Sequence, residues 1–266
     1  MQDRPASNDV RAPGVLRMAL EWRAPLELGI SLAALPILRT APMGDGHPVL
    51  VFPGLAASDI STGPMRRYLK DRNYVPHRWQ LGRNFGPGNG VLEGCGRLVR
   101  RMRERYGRKV SLIGWSLGGI YAREAAKALP DHVRCVITMG TPFAGSPRAT
   151  NAWRLYEYLS GERVDERHSW PGISEAPPVP TTSIYSRTDG IVAWQCSVQE
   201  EGPLTENIEV EASHFGLGVN PAVLYAIADR LAQPEGNWAR FDRSGLKALI
   251  YKDPSAADWF PASALV

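Results

Sequence analysis

The sequence of 266 residues has few cysteines and no long apolar run. Its three cysteines, Cys95, Cys135 and Cys196, form no Cys-x-x-Cys pair and no metal-site spacing, and an odd number argues against a secreted disulfide framework. The longest charge-free apolar run near the N-terminus covers residues 28–38. It is too short to span a membrane and begins too late for a usual secretory signal, so we expect a cytoplasmic protein.

The sequence also has little excess charge outside one segment. Lys and Arg number 31 and Asp and Glu 27, and residues 97–109 alone hold seven basic residues and one acid. The remainder is slightly acidic, which differs from a uniformly basic nucleic-acid-binding protein, and no nucleic-acid partner is expected. Within this segment Leu98, Met102 and Tyr106 recur at helical spacing, which predicts an amphipathic helix with a solvated basic face. A contact with an anionic membrane or polyanion is the alternative for that face.

The composition is otherwise typical of a folded chain. Hydrophobic residues make up 44% of it, which is enough for a core and excludes wholesale disorder. Glycine (26) and proline (22) exceed their usual share, which indicates a chain rich in turns and loops.

From residue 47 onward, short apolar and β-branched runs alternate with helical patterns. Six runs are typical of buried strands, at residues 48–52, 74–81, 110–114, 133–139, 181–186 and 208–212. Four helical patterns accompany them, at residues 64–72, 91–106, 117–129 and 221–232. This alternation predicts an α/β fold in which a mostly parallel sheet is covered by helices on both faces. Ligands meet such sheets at the carboxyl ends of the strands, so functional residues should follow strands.

The pattern divides the chain into three parts. We predict an N-terminal helical extension at residues 1–46, a core at residues 47–233 and a C-terminal tail at residues 234–266. Residues 143–180 are predicted to form a small cap inserted in the core, because a connection this long is usually functional. Five aromatic residues of the tail are predicted to dock it on the core, namely Trp238, Phe241, Tyr251, Trp259 and Phe260.

Within the extension, residues 14–38 carry apolar positions at helical intervals that are interrupted by Pro25 and Pro36. They predict short helices that lie on the core. A peripheral contact with a membrane surface is the alternative for this segment.

A Gly-x-Ser-x-Gly pattern stands at Gly114, Ser116 and Gly118, where a β-rich run ends and a helical run begins. This setting is typical of a nucleophile elbow, in which a sharp, strained turn lifts the serine hydroxyl above the sheet. Side chains at Gly114 and Gly118 would collide with the turn, and Gly119 lets the helix start close to the sheet. Ser116 is therefore the candidate nucleophile, and a glycine-rich turn with an ordinary serine is the alternative.

A serine nucleophile needs a base and an orienting acid, which in this architecture follow later in the chain, acid first. Asp189 follows the strand predicted to end near residue 186, and Gly190 after it suggests a tight turn. His214 follows the last predicted strand, just before Asn220 and Pro221 begin the closing helix. Asp189 and His214 are the candidate acid and base.

The remaining histidines are weaker candidates for the base. His47 and His132 precede strands, His77 lies within one, and His168 lies in the predicted cap, where it is a candidate for touching substrate. Asp165 and Glu166, also in the cap, are the alternatives to Asp189 as the acid, although a catalytic acid is normally held by rigid structure.

The reaction also requires donors for a tetrahedral oxyanion. The backbone N–H of Leu117 follows the nucleophile, and the loop after the first strand supplies the second donor, assigned to Leu55 with Ala56 as the alternate. Candidate residues for a substrate pocket are Trp115, Phe143, Trp153 and Tyr156, and a cap that packs on itself explains the aromatics equally well.

A glycine-rich stretch at residues 82–90 invites a phosphate-loop interpretation. It lacks the lysine of a P-loop and the pattern of a dinucleotide site, so we expect a loop that borders the active site, with Arg83 and Asn84 near the cleft.

The chain resembles serine esterases of the α/β-hydrolase fold, and within them bacterial triacylglycerol lipases. Four stretches carry the resemblance, VLVFPGL at 49–55, VSLIGWSLGG at 110–119, VITMGTPFAGS at 136–146 and TDGIV at 188–192. The resemblance implies an ester hydrolase whose substrate is a small-molecule or lipid ester. We expect no cofactor, because the mechanism needs none, and no metal. It implies the nucleophile, acid and base at Ser116, Asp189 and His214, and oxyanion donors at Leu55 and Leu117.

The chain also departs from those lipases. Pro53 stands where they usually have histidine in the oxyanion loop, and Trp115 stands where they usually have histidine before the nucleophile. The cap looks smaller, and the sequence has no convincing set of acidic ligands for their structural calcium. These differences bear on long-chain triglyceride specificity. An acyltransferase with the same three residues, and a non-catalytic protein that binds lipid or a partner, are the alternatives to an esterase.

Overall fold

Six strands form one sheet in the computed structural model, which describes residues 10–88, 90–164 and 172–253. In chain order they are β1 Pro48–Phe52, β2 Val75–Arg78, β3 Val110–Trp115, β4 Val133–Met139, β5 Thr181–Tyr185 and β6 Thr205–Glu209. Their order across the sheet is β2-β1-β3-β4-β5-β6, and every neighbouring pair is parallel. The prediction of a mostly parallel sheet in an α/β fold is confirmed.

Helices connect and cover these strands. The α-helices of the described residues are α1 Val15–Ala19, α2 Ala24–Ala33, α3 Leu35–Leu38, α4 Gly63–Asp71, α5 Val91–Tyr106, α6 Leu117–Ala128, α7 Trp153–Ser160 and α8 Pro221–Leu231. Short 3₁₀-helices lie at Leu20–Arg23, Pro130–His132, Trp194–Ser197 and Gly245–Leu249. Pro25 and Pro36 lie in the first turns of α2 and α3, where a missing N–H costs no hydrogen bond, so they begin helices in the extension.

Side chains that alternate along the strands face two different helical layers. Val49 and Val51 of β1 pack with α4 and α8, whereas Leu50 and Phe52 pack with α5 and α6. Successive side chains of a strand point to opposite faces, so both faces of the sheet are buried. The predicted cover of helices on both faces is confirmed.

The strand order reverses between β1 and β3. The chain passes from β1 outward to β2 and then returns to place β3 on the other side of β1. At such a switch point the loops after the two strands diverge and leave a crevice at the carboxyl end of the sheet. The loop of Pro53, Gly54 and Leu55 follows β1, and Ser116 follows β3 directly.

The edge strand β6 lies earlier in the chain than the predicted residues 208–212, because its buried positions are polar. Glu206 accepts hydrogen bonds from Thr182 Oγ1 and Arg230 Nη1, both at 2.9 Å, and Glu209 accepts one from Tyr185 Oη at 3.1 Å. Paired in this way, carboxylates can be buried in a strand, and an apolar pattern does not detect them.

The described part of the tail packs on the core. Phe241 and Tyr251 are buried in edge-to-face contact with ring centroids 4.7 Å apart, and Tyr251 Oη donates to the carbonyl of Ala222 at 2.8 Å. Trp238 is partly buried. Two aromatics of the docking prediction lie outside the described residues, namely Trp259 and Phe260.

Three glycines let α6 begin against the ends of the strands. A Cβ atom on Gly114 would lie 2.2 Å from Gly119 Cα, and one on Gly118 would lie 2.5 Å from the carbonyl oxygen of Phe52. A Cβ on Gly119 would lie 2.0 Å from Thr141 Oγ1. All are far below van der Waals contact. Gly114 and Gly118 therefore let backbone approach backbone, and Gly119 leaves room for the side chain of Thr141.

We expect Gly119→Ala to lower the free energy of unfolding by about 1–3 kcal/mol, because the methyl group must displace Thr141 from a packed site. Gly29→Ala in α2 is the matched control, because a Cβ there meets nothing within 4 Å. That change removes a glycine from a helix interior and should stabilise by up to about 1 kcal/mol. Urea unfolding measures both, and equal stability of Gly119→Ala and wild type would contradict the close approach.

Candidate active site

Ser116 lies in a strained turn between β3 and α6. Its backbone has φ +52° and ψ −123°, a region that residues other than glycine rarely adopt. The turn is held by hydrogen bonds from Ser116 N to Met139 O at 2.8 Å and from Gly119 N to Ser116 O at 2.9 Å. Ser116 lines a cavity at this end of the sheet. The structure thus has the strand–turn–helix setting that the sequence predicts for a nucleophile.

Asp189 and His214 form a buried pair in the loops after β5 and β6. His214 Nδ1 lies 2.7 Å from Asp189 Oδ2, and Asp189 Oδ1 accepts the backbone N–H groups of Ile191 and Val192, both at 2.8 Å. The carboxylate is therefore fixed by two backbone donors and presents its other oxygen to the imidazole. A proton held on Nδ1 by Asp189 leaves Nε2 free to accept a proton.

The surroundings of His214 favour its charged form. Burial lowers the pKa of His214, but the charge of Asp189, the hydrogen bond to Asp189 and the charge of Glu21 together raise it above its ordinary value. An imidazole of this kind is a stronger proton acceptor than one in water. It suits a base that must hold a proton while a charged intermediate exists.

Two contacts bring the His214 loop to the ends of β3 and β4. Trp115 Nε1 donates to the carbonyl of His214 at 3.1 Å. A Cβ on Gly140 would lie 3.0 Å from His214 Nδ1 and 3.1 Å from Asp189 Oδ2, so the positive-φ turn after β4 abuts the pair. In the described residues Ser116 Oγ makes no hydrogen bond to His214. Catalytic hydrogen bonds are often long without substrate, and they tighten in the reacting complex.

Trp115 does not line the cavity, in contrast to its prediction as a pocket residue. Its indole N–H is turned toward the His214 carbonyl, and a Cβ on Gly218 would lie 3.3 Å from its ring. As the last residue of β3, it points to the face that carries the base loop rather than to the face that carries the cap. Trp115 supports the loop of the candidate base.

Asn84 holds the loop that follows β1. Asn84 Nδ2 donates to Pro53 O at 2.8 Å, and the backbone groups of Asn84 exchange hydrogen bonds with Ala56 N at 2.7 Å and Ala57 O at 2.8 Å. Asn84 is buried and holds the loop that carries Leu55, and it does not itself line the cavity.

These hydrogen bonds distinguish Leu55 from Ala56, the two candidates for the second oxyanion donor. The N–H of Ala56 is occupied by Asn84 O, whereas those of Leu55 and Leu117 meet no acceptor in the described residues. Leu55, Leu117 and Ser116 line the same cavity. Backbone N–H groups without a partner beside a cavity require an explanation, and an anionic ligand atom would satisfy them.

The cavity in front of Ser116 is about 90 Å³ in volume and mostly apolar. Of the predicted pocket residues, Phe143, Trp153 and Tyr156 line it. Its other apolar side chains come from the loops around it and include Pro142, Val164, Ile173 and Val192. The site therefore offers an apolar surface next to a hydroxyl group and two free N–H donors.

The segment predicted to be a cap is held to α6 by Arg123. This buried guanidinium donates to the carbonyls of Ser174 at 3.1 Å and Glu175 at 2.8 Å, and it lies 3.9 Å from the ring centroid of Phe143. Burial lowers the pKa of Arg123 to about 10, so it stays charged at neutral pH. One arginine thus joins the returning end of the cap to a residue that lines the cavity.

Sequence reasoning missed two carboxylates of the extension. Glu21 accepts backbone N–H groups from Gly190, His214 and Phe215, and Glu27 accepts that of Ser213 at 2.7 Å. Both are buried. The available signal was that Glu21 and Glu27 are the two acids of residues 10–44, but their partners lie far along the chain.

Gly190 serves this docking of the extension. Its φ is not positive, and a Cβ there would lie 2.2 Å from the carbonyl oxygen of Arg17. Gly190 thus permits a close approach of backbone, and it lies within the turn in which Asp189 Oδ1 accepts the N–H groups of Ile191 and Val192. A Cβ on Gly216 would likewise lie 2.1 Å from Glu27 Oε2.

A second Asp–His–Ser chain lies at the opposite end of the sheet. His47 Nδ1 is 2.5 Å from Asp45 Oδ1, and His47 Nε2 is 2.8 Å from Ser111 Oγ. Both His47 and Ser111 are fully buried, and neither lines the cavity in front of Ser116. Burial lowers the pKa of His47 to about 4, so it is neutral at pH 7. The half-exposed Asp45 thus satisfies a buried histidine, and the buried Ser111 is not accessible to a substrate.

Three sequence candidates, the alternative acids and a possible substrate contact, are not tested by the structure. The cap residues Asp165, Glu166 and His168 lie outside the described residues. Among the residues that the structure describes, no three or more His, Cys, Asp and Glu side chains are grouped to hold a metal, and no helix is long and apolar enough to cross a membrane.

Comparisons with known proteins find likeness in structure only. No protein-family model and no curated protein sequence matches the chain. Lipase B of Aspergillus fumigatus superposes with a TM-score of 0.55 at 18% identity, over 74% of this chain and 56% of that one. The mature lipase BlEst2 of Bacillus licheniformis gives 0.54 at 17% identity, over 73% and 95%. A lipase-esterase related protein of Clostridium acetobutylicum gives 0.53 at 14% identity, over 70% and 95%.

The match thus spans little more than half of the fungal lipase and nearly all of the two bacterial proteins. Identities of this size indicate architecture and leave the chemistry of the individual chain open. Together with the strand order and the crossover at β1 and β3, they show that this chain has the α/β-hydrolase fold.

Proposed function

We propose that the protein is a serine hydrolase that cleaves carboxylic esters of apolar acyl groups. The observation that carries the proposal is the strained Ser116 at the mouth of an apolar cavity, beside the unoccupied N–H groups of Leu55 and Leu117. The buried pair of Asp189 and His214 supplies an oriented base at the same end of the sheet. The solved structures named as lipases support an ester as the substrate.

The reaction proceeds through an acyl-enzyme. His214 Nε2 takes the proton of Ser116 Oγ as that oxygen attacks the ester carbonyl, and Leu55 and Leu117 donate to the resulting oxyanion. The imidazolium then protonates the departing alcohol, and Asp189 stabilises the charge. Water, deprotonated by His214, attacks the acyl-enzyme and releases the acid. Transfer of the acyl group to an alcohol instead of water would use the same steps.

Ser116→Ala should abolish labelling by a fluorophosphonate and lower kcat for an ester by about three orders of magnitude or more, because the nucleophile is lost. Ser111→Ala is the matched control, since Ser111 lies in the strand that ends just before Ser116 and contacts a histidine but is buried away from the cavity. It should be labelled like wild type. Absence of labelling in the wild type would exclude both hydrolysis and acyl transfer.

We place the acyl chain of the substrate against the apolar lining of the cavity. Trp153→Ala should raise KM for hexanoate relative to acetate esters roughly tenfold, the effect of losing about 1.4 kcal/mol of apolar contact. Tyr158→Ala is the control on the same helix, because that ring is 85% exposed and does not line the cavity. Equal effects of the two changes on the hexanoate-to-acetate ratio would contradict this placement.

We further propose that the extension contacts an anionic lipid surface through its outer surface. This outer surface consists of large exposed apolar residues, namely Val15, Leu16, Met18, Leu20, Trp22, Leu26, Leu28, Ile30, Leu32, Leu35 and Ile37. A soluble protein rarely exposes so many apolar residues within one short segment unless they contact a partner or a membrane. The side chain of Trp22 is 88% exposed, and tryptophan favours the boundary between lipid and water.

The charges of the extension favour lipid over a second copy of the chain. The only acids at residues 10–44 are the buried Glu21 and Glu27, whereas Arg11 and Arg39 are exposed and Arg17 is partly exposed. A symmetric dimer would bring together two copies of this surface, which offers no exposed acid at residues 10–44 to pair with its arginines. Anionic headgroups would pair with these arginines while the apolar side chains enter the acyl region.

The wild type should co-sediment with phosphatidylcholine vesicles that contain phosphatidylserine and only weakly with vesicles that lack it. Trp22→Ser with Leu26→Ser should lower the partition constant roughly tenfold or more. The control is Leu246→Ser with Leu249→Ser, two residues that are each 83% exposed outside the extension. Failure of the wild type to bind, or a dimer that the Trp22 and Leu26 changes dissolve, would overturn the lipid contact.

A further inference from the structure

Glu21 is a buried carboxylate that joins the two loops of the candidate acid and base. Its Oε1 accepts the backbone N–H of Gly190 at 2.7 Å and that of His214 at 2.9 Å, and its Oε2 accepts the N–H of Phe215 at 3.0 Å. Gly190 follows Asp189 directly in the chain. One side chain of the extension therefore fixes the backbone next to the acid and the backbone of the base itself.

The hydrogen-bond partners of Glu21 are all backbone N–H groups. Glu21 makes no salt bridge within the described residues, in contrast to Glu27, whose Oε1 lies 3.1 Å from Arg23 Nε. An isolated charge in the interior is costly unless hydrogen bonds or a nearby cation compensate for it. The charge of Glu21 acts on the imidazole of His214, whose protonated form exists during the proposed reaction.

Charged groups reach His214 from two sides. Asp189 faces its Nδ1 from the loop after β5, and Glu21 faces its backbone from the 3₁₀-helix at Leu20–Arg23. The aromatic neighbours Trp115, in β3, and Phe215, in its own loop, carry no charge. The charges of both acids raise the pKa of His214. Glu21 thus adds to the effect of Asp189 without touching the imidazole.

We infer that Glu21 is a positioning residue of the proposed hydrolase, which sets the geometry of the acid and base loops and stabilises the protonated base. The inference rests on the proposed function. It assigns the extension a part in the reaction, since Glu21 acts through His214 and touches neither the substrate nor the reacting atoms.

The test compares Glu21→Gln with Glu27→Gln in the full chain. The Glu21→Gln change removes the negative charge. It also places the amide NH₂ of glutamine against one of the three backbone N–H groups that the carboxylate accepts. We expect fluorophosphonate labelling of Ser116 to slow roughly tenfold or more, because small displacements of catalytic groups are costly. We also expect the acid limb of the kcat/KM profile to move to lower pH by about half a unit or more, because the pKa of His214 falls.

Glu27→Gln is the matched control for a purely structural effect. It removes a second buried carboxylate of the extension that accepts an N–H from the same loop, but Glu27 is not among the groups that shift the pKa of His214. It should lower stability by a similar amount and leave the acid limb where it is in the wild type. An equal shift of the limb in both variants, or no shift in Glu21→Gln, would overturn the inference.

Titration of the His214 imidazole by NMR separates this inference from the proposed function. If the wild type is not labelled, the hydrolase proposal fails, and a lower pKa of His214 in Glu21→Gln still supports the electrostatic part of the inference. If the wild type is labelled and the pKa of His214 is unchanged in Glu21→Gln, the inference fails alone.

Discussion

The close approach of α6 to the ends of β1, β3 and β4 is the constraint on which the rest of the site depends. The carbonyl of Phe52 leaves no room for a Cβ on Gly118, and the side chain of Thr141 leaves none for a Cβ on Gly119. The helix can begin this close only if the chain turns sharply at Ser116, which places that residue at φ +52°. The same approach aims the N-terminal N–H groups of α6 at the cavity, where the dipole of the helix adds positive potential.

A second feature is the docking of the extension, which holds the loops of Asp189 and His214. Loops at the edge of a sheet are ordinarily variable and are held by few contacts. Here the loops of Asp189 and His214 are fastened by Glu21 and Glu27, and Gly190 and Gly216 lack side chains where the extension touches them. The inner side of the extension is thus polar and specific, while its outer surface is apolar and basic. The inner side holds the loops of Asp189 and His214, and the outer surface is the one proposed to contact lipid.

The fold and most of the candidate site followed from local sequence patterns. Ser116 was predicted because strand, turn and helix signals coincide around two glycines, and Asp189 and His214 because each follows a strand. Glu21 could not be predicted, because its partners lie more than 160 residues away and no local pattern encodes them. The direction of Trp115 was missed for a similar reason, since it depends on which face of the sheet carries the base loop. The position of β6 was predicted too late in the chain, because its buried residues include paired polar side chains that an apolar pattern does not detect.

The central claim is that Ser116 becomes acylated during turnover. Its most direct test is to quench the enzyme with acid during hydrolysis of an activated ester, digest it with trypsin and sequence the peptide at residues 110–123 by mass spectrometry. That peptide contains both Ser111 and Ser116, so it provides its own internal comparison. The account predicts that the acyl mass is on Ser116 and absent from Ser111. Turnover without an adduct on Ser116, or an adduct on another residue, would contradict it.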